Sequence, residues 1–134
     1  MATDGPEPPN VLVVEDDPTT CELIAELLID EGYRVLQTGS GSVGLRLAKQ
    51  YHPEAVVLDM MLGEVSGLDV LRELKQAEPT RDIRVVAISG SAKLLEDVEA
   101  QQADATFLKP FALADLLNAI SGSSRGDSEW QRYA

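Results

Sequence analysis

Short apolar runs alternate with stretches of helical periodicity along most of this chain. The runs are VLVV at 11–14, YRVLQT at 33–38, AVVL at 55–58, IRVVAI at 83–88 and ATFL at 105–108, and their length and β-branched content predict five strands. Five helices lie between and after them. Asp17 and Pro18 supply the N-cap and first residue of the first helix. Its apolar face is Leu23, Ile24, Leu27 and Leu28, and Gly32 is its stop. Ser66 can cap the third helix, whose Val70, Leu71 and Leu74 face inward. Leu113, Leu116, Leu117 and Ile120 give the last helix the same pattern.

Strict alternation of strand and helix predicts right-handed crossovers, and so a doubly wound α/β fold with a five-stranded parallel sheet and helices on both faces. VLVV, AVVL and VVAI are apolar without alternation, as strands covered on both faces must be, so these three belong at the centre. YRVLQT carries Arg34, Gln37 and Thr38, and ATFL is short and runs into Lys109; both suit the edges. The folded part is expected from Asn10 to Ile120 as one domain. Residues 1–9, rich in proline and acid, and 121–134, polar and rich in glycine and serine, read as loose tails.

Composition narrows the function. A net charge of −12 argues against a nucleic-acid surface, which needs clustered Lys and Arg, and points to proteins or cations as partners. No apolar run approaches a membrane span and the N-terminus lacks a signal-peptide pattern, so a cytoplasmic location is expected, with no membrane partner. Cys21 sits in the apolar pattern CELIAELL and is expected to be a small buried thiol without a redox role.

The chemistry collects at one place. In a parallel open sheet the C-terminal ends of all strands open onto one crevice, and polar residues follow the apolar runs here. Glu15 and Asp16 follow the first strand, Asp59 ends the third, Ser89 the fourth, and Lys109 follows the fifth. Three gathered carboxylates repel by roughly 4 kcal/mol per pair at about 4 Å and an effective dielectric near 20. A hard divalent cation such as Mg²⁺ would relieve that, and Lys109 adds a second positive charge able to hold a phosphate oxygen. The fitting reaction is in-line attack of an Asp59 carboxylate oxygen on phosphorus, giving an acyl phosphate. Phosphatases with an aspartyl nucleophile usually carry a second aspartate two residues later. Here that position is Met61, so the acyl phosphate is expected to persist as a signal.

At these residues the sequence resembles the receiver domain of two-component response regulators, over essentially all of residues 10–120. VLVVEDDP resembles the family's first strand and acidic pair, and LDMMLGEVSGLDVL its phosphoacceptor loop and third helix. AISG resembles the fourth strand with its hydroxyl, and FLKPF the closing strand with lysine and proline. The resemblance implies a stand-alone CheY-like (βα)5 domain of flavodoxin-like topology with strand order 2-1-3-4-5. It implies a phosphoacceptor switch that catalyses its own phosphorylation and slow dephosphorylation, rather than a turnover enzyme. The donor would be a histidine kinase or histidine phosphotransfer protein, and output would pass to a downstream target protein, since no output domain is expected after Ile120.

Carried over residue by residue, the family implies Glu15 and Asp16 as metal-holding acids for Mg²⁺. Asp59 and the backbone carbonyl of Met61 complete the ligands. Asp17 suits a helix cap better than a ligand. Lys109 would bind a phosphoryl oxygen beside a Lys109–Pro110 bond that the family usually holds cis. Ser89 and Phe107 would form the switch, changing the surface of the fourth helix, fifth strand and fifth helix, and a weak homodimer is left open. Two departures stand out: Gly63 occupies a position where the family commonly has proline, and the stretch from Ser89 to Lys109 is short, implying a trimmed fourth helix or loop.

Two other readings compete. GSGSVG, from Gly39 to Gly44, is a formal G-x-G-x-x-G after a strand and invites a nucleotide or dinucleotide. Its preceding strand is polar, the remaining chain is short for such a domain, and Glu15, Asp16, Ser89 and Lys109 would go unexplained. A Ser-capped helix packed close through a glycine is the better reading. The other is a receiver-like interaction module that works without phosphate, which the intact acid, Ser and Lys set opposes. His52, before Pro53, reads as structural or exposed. The RGD at 125–127 reads as chance, and Trp130 and Tyr133 as part of a loose end.

Overall fold

A computed structural model describes residues 9–63, 65–97 and 100–122. The strands are β1 (Val11–Val14), β2 (Val35–Thr38), β3 (Ala55–Asp59), β4 (Arg84–Ser89) and β5 (Ala105–Leu108). The helices are α1 (Pro18–Asp30), α2 (Gly41–Tyr51), α3 (Gly67–Gln76), α4 (Ala92–Leu95) and α5 (Leu113–Ser121), with a 3-10 turn at Ala100–Gln102. All strand pairs are parallel and the order is 2-1-3-4-5. The three continuous apolar runs are central and the two polar or short ones are edges, as expected. Residues 1–8 and 123–134, most of the expected tails, lie outside the described residues.

Alternation along the strands splits the core in two. Leu12, Val14, Val56, Leu58, Val85 and Ala87 point to the face that packs on Val70, Leu71 and Leu74 of α3. Val11, Val13, Val57, Val86 and Ile88 point to the other, against Ile24 and Leu28 of α1 and Leu116 and Ile120 of α5. Each such Leu, Ile or Val, once buried, contributes about 1.5–3 kcal/mol. One expectation needs correction: Leu23 is 55% exposed, and Leu27 only half-buried. The apolar stripe of α1 is wider than the sheet can cover, so Ile24 and Leu28 take the core and Leu23 stays at the lip.

Helix ends follow the expected signals. The Asp17 carboxylate accepts from Thr20 N–H at 3.1 Å. At the far end Gly32 adopts φ +99°, letting its N–H reach Ile29 O at 2.9 Å and Tyr33 N–H reach Leu28 O at 3.1 Å. Ser66 caps α3 by accepting from Leu68 N–H. Ser40 caps α2 by accepting from Val43 N–H at 3.2 Å, and a Cβ on Gly44 would lie 2.9 Å from Val14 Cγ2. The glycine-rich stretch is thus a capped helix pressed on β1. His52 closes α2 in the left-handed region, and its exposed ring pairs with Asp82 at 3.0 Å. The short stretch before β5 leaves α4 only four residues.

Candidate functional site

Three central strand ends and one edge strand build the crevice. Asp59 is the last residue of β3, in register with Ile88 of β4, and is 4% exposed. Continuous backbone pairing carries it into the site: Met60 N–H donates to Ile88 O at 2.9 Å. Glu15 follows β1 directly and is 2% exposed, while Asp16 faces solvent. Lys109 follows β5, its N–H held by Ser89 O at 2.8 Å, and the Lys109–Pro110 peptide is cis.

The ammonium of Lys109 bridges two buried carboxylates. It donates to Glu15 Oε1 at 2.6 Å and to Asp59 Oδ2 at 2.9 Å. The remaining oxygens are held by backbone: Asp17 N–H donates to Glu15 Oε2 at 3.2 Å, and Met61 N–H to Asp59 Oδ1 at 2.8 Å. Burial pushes the Glu15 carboxyl above its ordinary value, aided by neighbouring Asp59 and opposed by Lys109. Burial alone would lower Lys109, but its bonds to Glu15 and Asp59 outweigh that and raise it. The lysine is therefore a fixed positive charge.

Asp16 completes an acidic triad with Glu15 and Asp59, one oxygen of each lying within 4.8 Å of the others. One ammonium against three carboxylates leaves the cluster negative, and all its donors are hard oxygens. That set fits Mg²⁺ better than a softer ion. Gly63 lies over the same carboxylate: a Cβ there would sit 3.4 Å from Asp16 Oδ2.

The other expected residues fall around this centre with different partners. Ser89 is fully buried, and its hydroxyl accepts from Ser91 N–H at 3.0 Å. Ser91 also caps α4 through Leu94 N–H. Phe107 is half-buried, its ring 6.0 Å from that of Phe111. The Met61 side chain is 55% exposed, so only its backbone meets the acceptor. Cys21 is buried, as expected, and burial pushes its thiol up.

Sequence reasoning missed Gly67, where a Cβ would lie 2.3 Å from the Asp59 carbonyl oxygen and 2.4 Å from Met60 Cα. Its N–H bonds Met60 O at 3.1 Å, so the start of α3 rests directly on the acceptor's backbone. A glycine immediately behind the capping Ser66 was the available signal.

Comparison with known proteins places the chain by family and fold. The family described as response regulator receiver domain matches residues 11–121. The polar-differentiation response regulator DivK of Brucella ovis is 33% identical over 121 residues, covering 89% of this chain and 98% of DivK. Among solved structures, response regulator TrrA of Thermotoga maritima, in complex with Mg(2+)-BeF, aligns with a TM-score of 0.77 at 26% identity, covering 84% of this chain and 96% of TrrA. The receiver domain of sensor histidine kinase PA1611 from Pseudomonas aeruginosa, with a magnesium ion coordinated in its active site cleft, aligns at 0.74 and 26%, covering 85% and 95%. No helix among the described residues is long and apolar enough to cross a membrane.

Proposed function

This chain belongs to the response regulator receiver domain family, and from that premise we propose that it is a phosphoacceptor switch in which Asp59 takes a phosphoryl group. The observation that carries the reading is the buried Asp59 carboxylate, bound by Lys109 at 2.9 Å and by Met61 N–H at 2.8 Å, beside two further acids. The donor is a phosphohistidine on a histidine kinase or phosphotransfer protein.

An Asp59 oxygen attacks phosphorus in line with the leaving nitrogen. The O–P bond forms as the N–P bond breaks, and the imidazole leaves with the bonding pair. No general base is needed, because the attacking group is a carboxylate. Lys109 follows the charge, trading Asp59 Oδ2 for a phosphoryl oxygen while its anchoring on β5 keeps it in reach. Glu15, Asp16, Asp59 and the Met61 carbonyl would hold Mg²⁺, which supplies positive charge to the phosphoryl oxygens when bound. Met61 places no second carboxylate beside the acyl phosphate, which favours a stored signal.

In the switch step, the Ser89 hydroxyl gives up the Ser91 N–H for the phosphoryl group, and Phe107 moves into the space beneath. The surface of α4, β5 and α5 then changes its affinity for a protein target in the cytoplasm. Incubation with acetyl phosphate and Mg²⁺ should yield a phosphorylated species by intact mass, absent in Asp59→Asn. Folded protein that gives no such species, or an equally phosphorylated Asp59→Asn, would refute the proposal.

A further inference from the structure

Two serines join the buried switch hydroxyl to a short surface helix. Ser89 closes β4 fully buried, and its hydroxyl accepts from Ser91 N–H at 3.0 Å. The Ser91 hydroxyl in turn accepts from Leu94 N–H at 3.2 Å, which makes Ser91 the N-cap of α4. That helix has only four residues, and its i→i−4 bonds are Leu95 N–H to Ser91 O at 3.4 Å and Glu96 N–H to Ala92 O at 3.1 Å. One turn is too short to offset its own nucleation, so α4 depends on its cap and on Leu95, which is buried in the core. A Cβ on Gly90, between the two serines, would meet nothing within 4 Å, so close packing does not hold the link at that point.

We propose that Ser91 is a positioning residue through which the Ser89 hydroxyl keeps α4 capped, so that phosphorylation of Asp59 loosens α4 instead of shifting it as a rigid body. This rests on the reading of Asp59 as the phosphoacceptor. When the Ser89 hydroxyl moves to a phosphoryl oxygen, Ser91 N–H loses its acceptor and the backbone beside it is released. Ser91 then no longer holds its own hydroxyl over Leu94 N–H, and the first turn of α4 frays. The expected loss of protection at Leu94 is roughly fivefold, the size of a typical N-cap contribution. A longer helix would survive that loss through its further bonds, whereas a four-residue helix has few to fall back on. The output face would then offer its partner a loosened α4.

Amide hydrogen exchange resolved by NMR in the full-length protein reads Ser91 and Leu94 directly, with Val57 of the central strand β3 as the control for the fold. Ser89→Ala removes the hydroxyl without phosphate. It should speed exchange at both amides, roughly fivefold at Leu94, and leave Val57 unchanged. Ser91→Ala should do so at Leu94, and Ser91→Thr, which keeps a capping oxygen, should restore the wild-type rate. Acetyl phosphate with Mg²⁺ should bring wild-type and Ser91→Thr protein to the Leu94 rate of Ser89→Ala, with no further change in Ser91→Ala. Leu94 exchange unaltered by Ser89→Ala overturns the relay whatever happens at Asp59. So does a wild type shown by intact mass to be phosphorylated that keeps Leu94 protected. Absence of any phosphorylated species refutes the Asp59 reading instead, and the Ser89→Ala result then decides the relay on its own.

Discussion

Replacing Gly67 by alanine tests how the acceptor strand is held. General helix propensity predicts a gain of about 1 kcal/mol for Gly→Ala inside a helix. The structure predicts the opposite sign. The new Cβ would lie 2.3 Å from the Asp59 carbonyl oxygen and 2.8 Å from the Met60 carbonyl carbon, and these are backbone atoms that cannot rotate away. The start of α3 must back off from β3, straining the Gly67 N–H to Met60 O bond at 3.1 Å. Overpacking costs about 1–3 kcal/mol and the weakened hydrogen bond about 1, so after the propensity gain a net loss of about 2 kcal/mol is expected. With a urea dependence of about 1–3 kcal/mol per molar, the midpoint should fall by roughly 1 M with little change in slope. Gly44→Ala meets side chains rather than backbone, Val14 at 2.9 Å and Thr38 at 3.7 Å, and Gly90→Ala meets nothing within 4 Å, so the series should run Gly67, Gly44, Gly90 in falling severity. The Gly67 variant should also accept phosphate from acetyl phosphate more slowly, because the displaced backbone carries Asp59. A Gly67→Ala protein as stable as the wild type would refute the steric argument.

Mg²⁺ should raise the wild-type Tm, and Glu15→Gln or Asp16→Asn should each reduce the Mg²⁺ affinity measured by calorimetry about tenfold by removing one charge from the triad. Lys109→Met should abolish phosphorylation of Asp59 while leaving two buried carboxylates without their ammonium, lowering the neutral-pH Tm unless Mg²⁺ is present. Thr80 is fully buried with its hydroxyl donating to Leu74 O at 2.8 Å, so Thr80→Val should cost about 1–2 kcal/mol in urea unfolding by leaving that carbonyl short of a partner. Asp104, desolvated but held by Lys75 at 2.8 Å and by Val85 N–H at 2.8 Å, has its carboxyl lowered on balance. Its stabilisation is therefore present above the unfolded pKa near 3.8 and lost as pH falls through the lower folded value. The wild type should exceed Asp104→Asn in stability at pH 7 and converge with it in acid.

Strand identity and order were readable because burial on both faces demands unbroken apolar runs, which VLVV, AVVL and VVAI supply. The acidic, hydroxyl and lysine positions were readable for a topological reason, since parallel strands deliver their C-terminal ends to one edge. What the sequence could not carry is distance. Leu23 fits the helical period as well as Ile24 does, and only the width of the sheet decides which is buried. Gly67 looks like any glycine at a helix start until α3 is laid on Met60. The clasp in which Lys75 joins Ile83 O to Asp104 links residues far apart in sequence that share no motif.

The site's charge balance ties these features to its chemistry. Lys109 is one cation for three carboxylates, and the two it touches are almost wholly removed from solvent. Contacts of 2.6 and 2.9 Å place that one ammonium between Glu15 and Asp59 in the crevice, while Asp16, the third acid, lies exposed at its mouth. A divalent cation at Asp16 would neutralise the remainder, and on the proposed reading an anionic phosphoryl group would then approach Asp59 against a weaker repulsive field. Metal dependence of phosphorylation would thus follow from the folded charge distribution rather than from a need for metal to activate the nucleophile. Raising ionic strength without Mg²⁺ screens Asp16 but scarcely reaches the buried pair, so high NaCl should fail to replace Mg²⁺ in the acetyl phosphate reaction. Phosphorylation restored by NaCl alone would show that bulk screening, not a localised cation, is what the acidic triad requires.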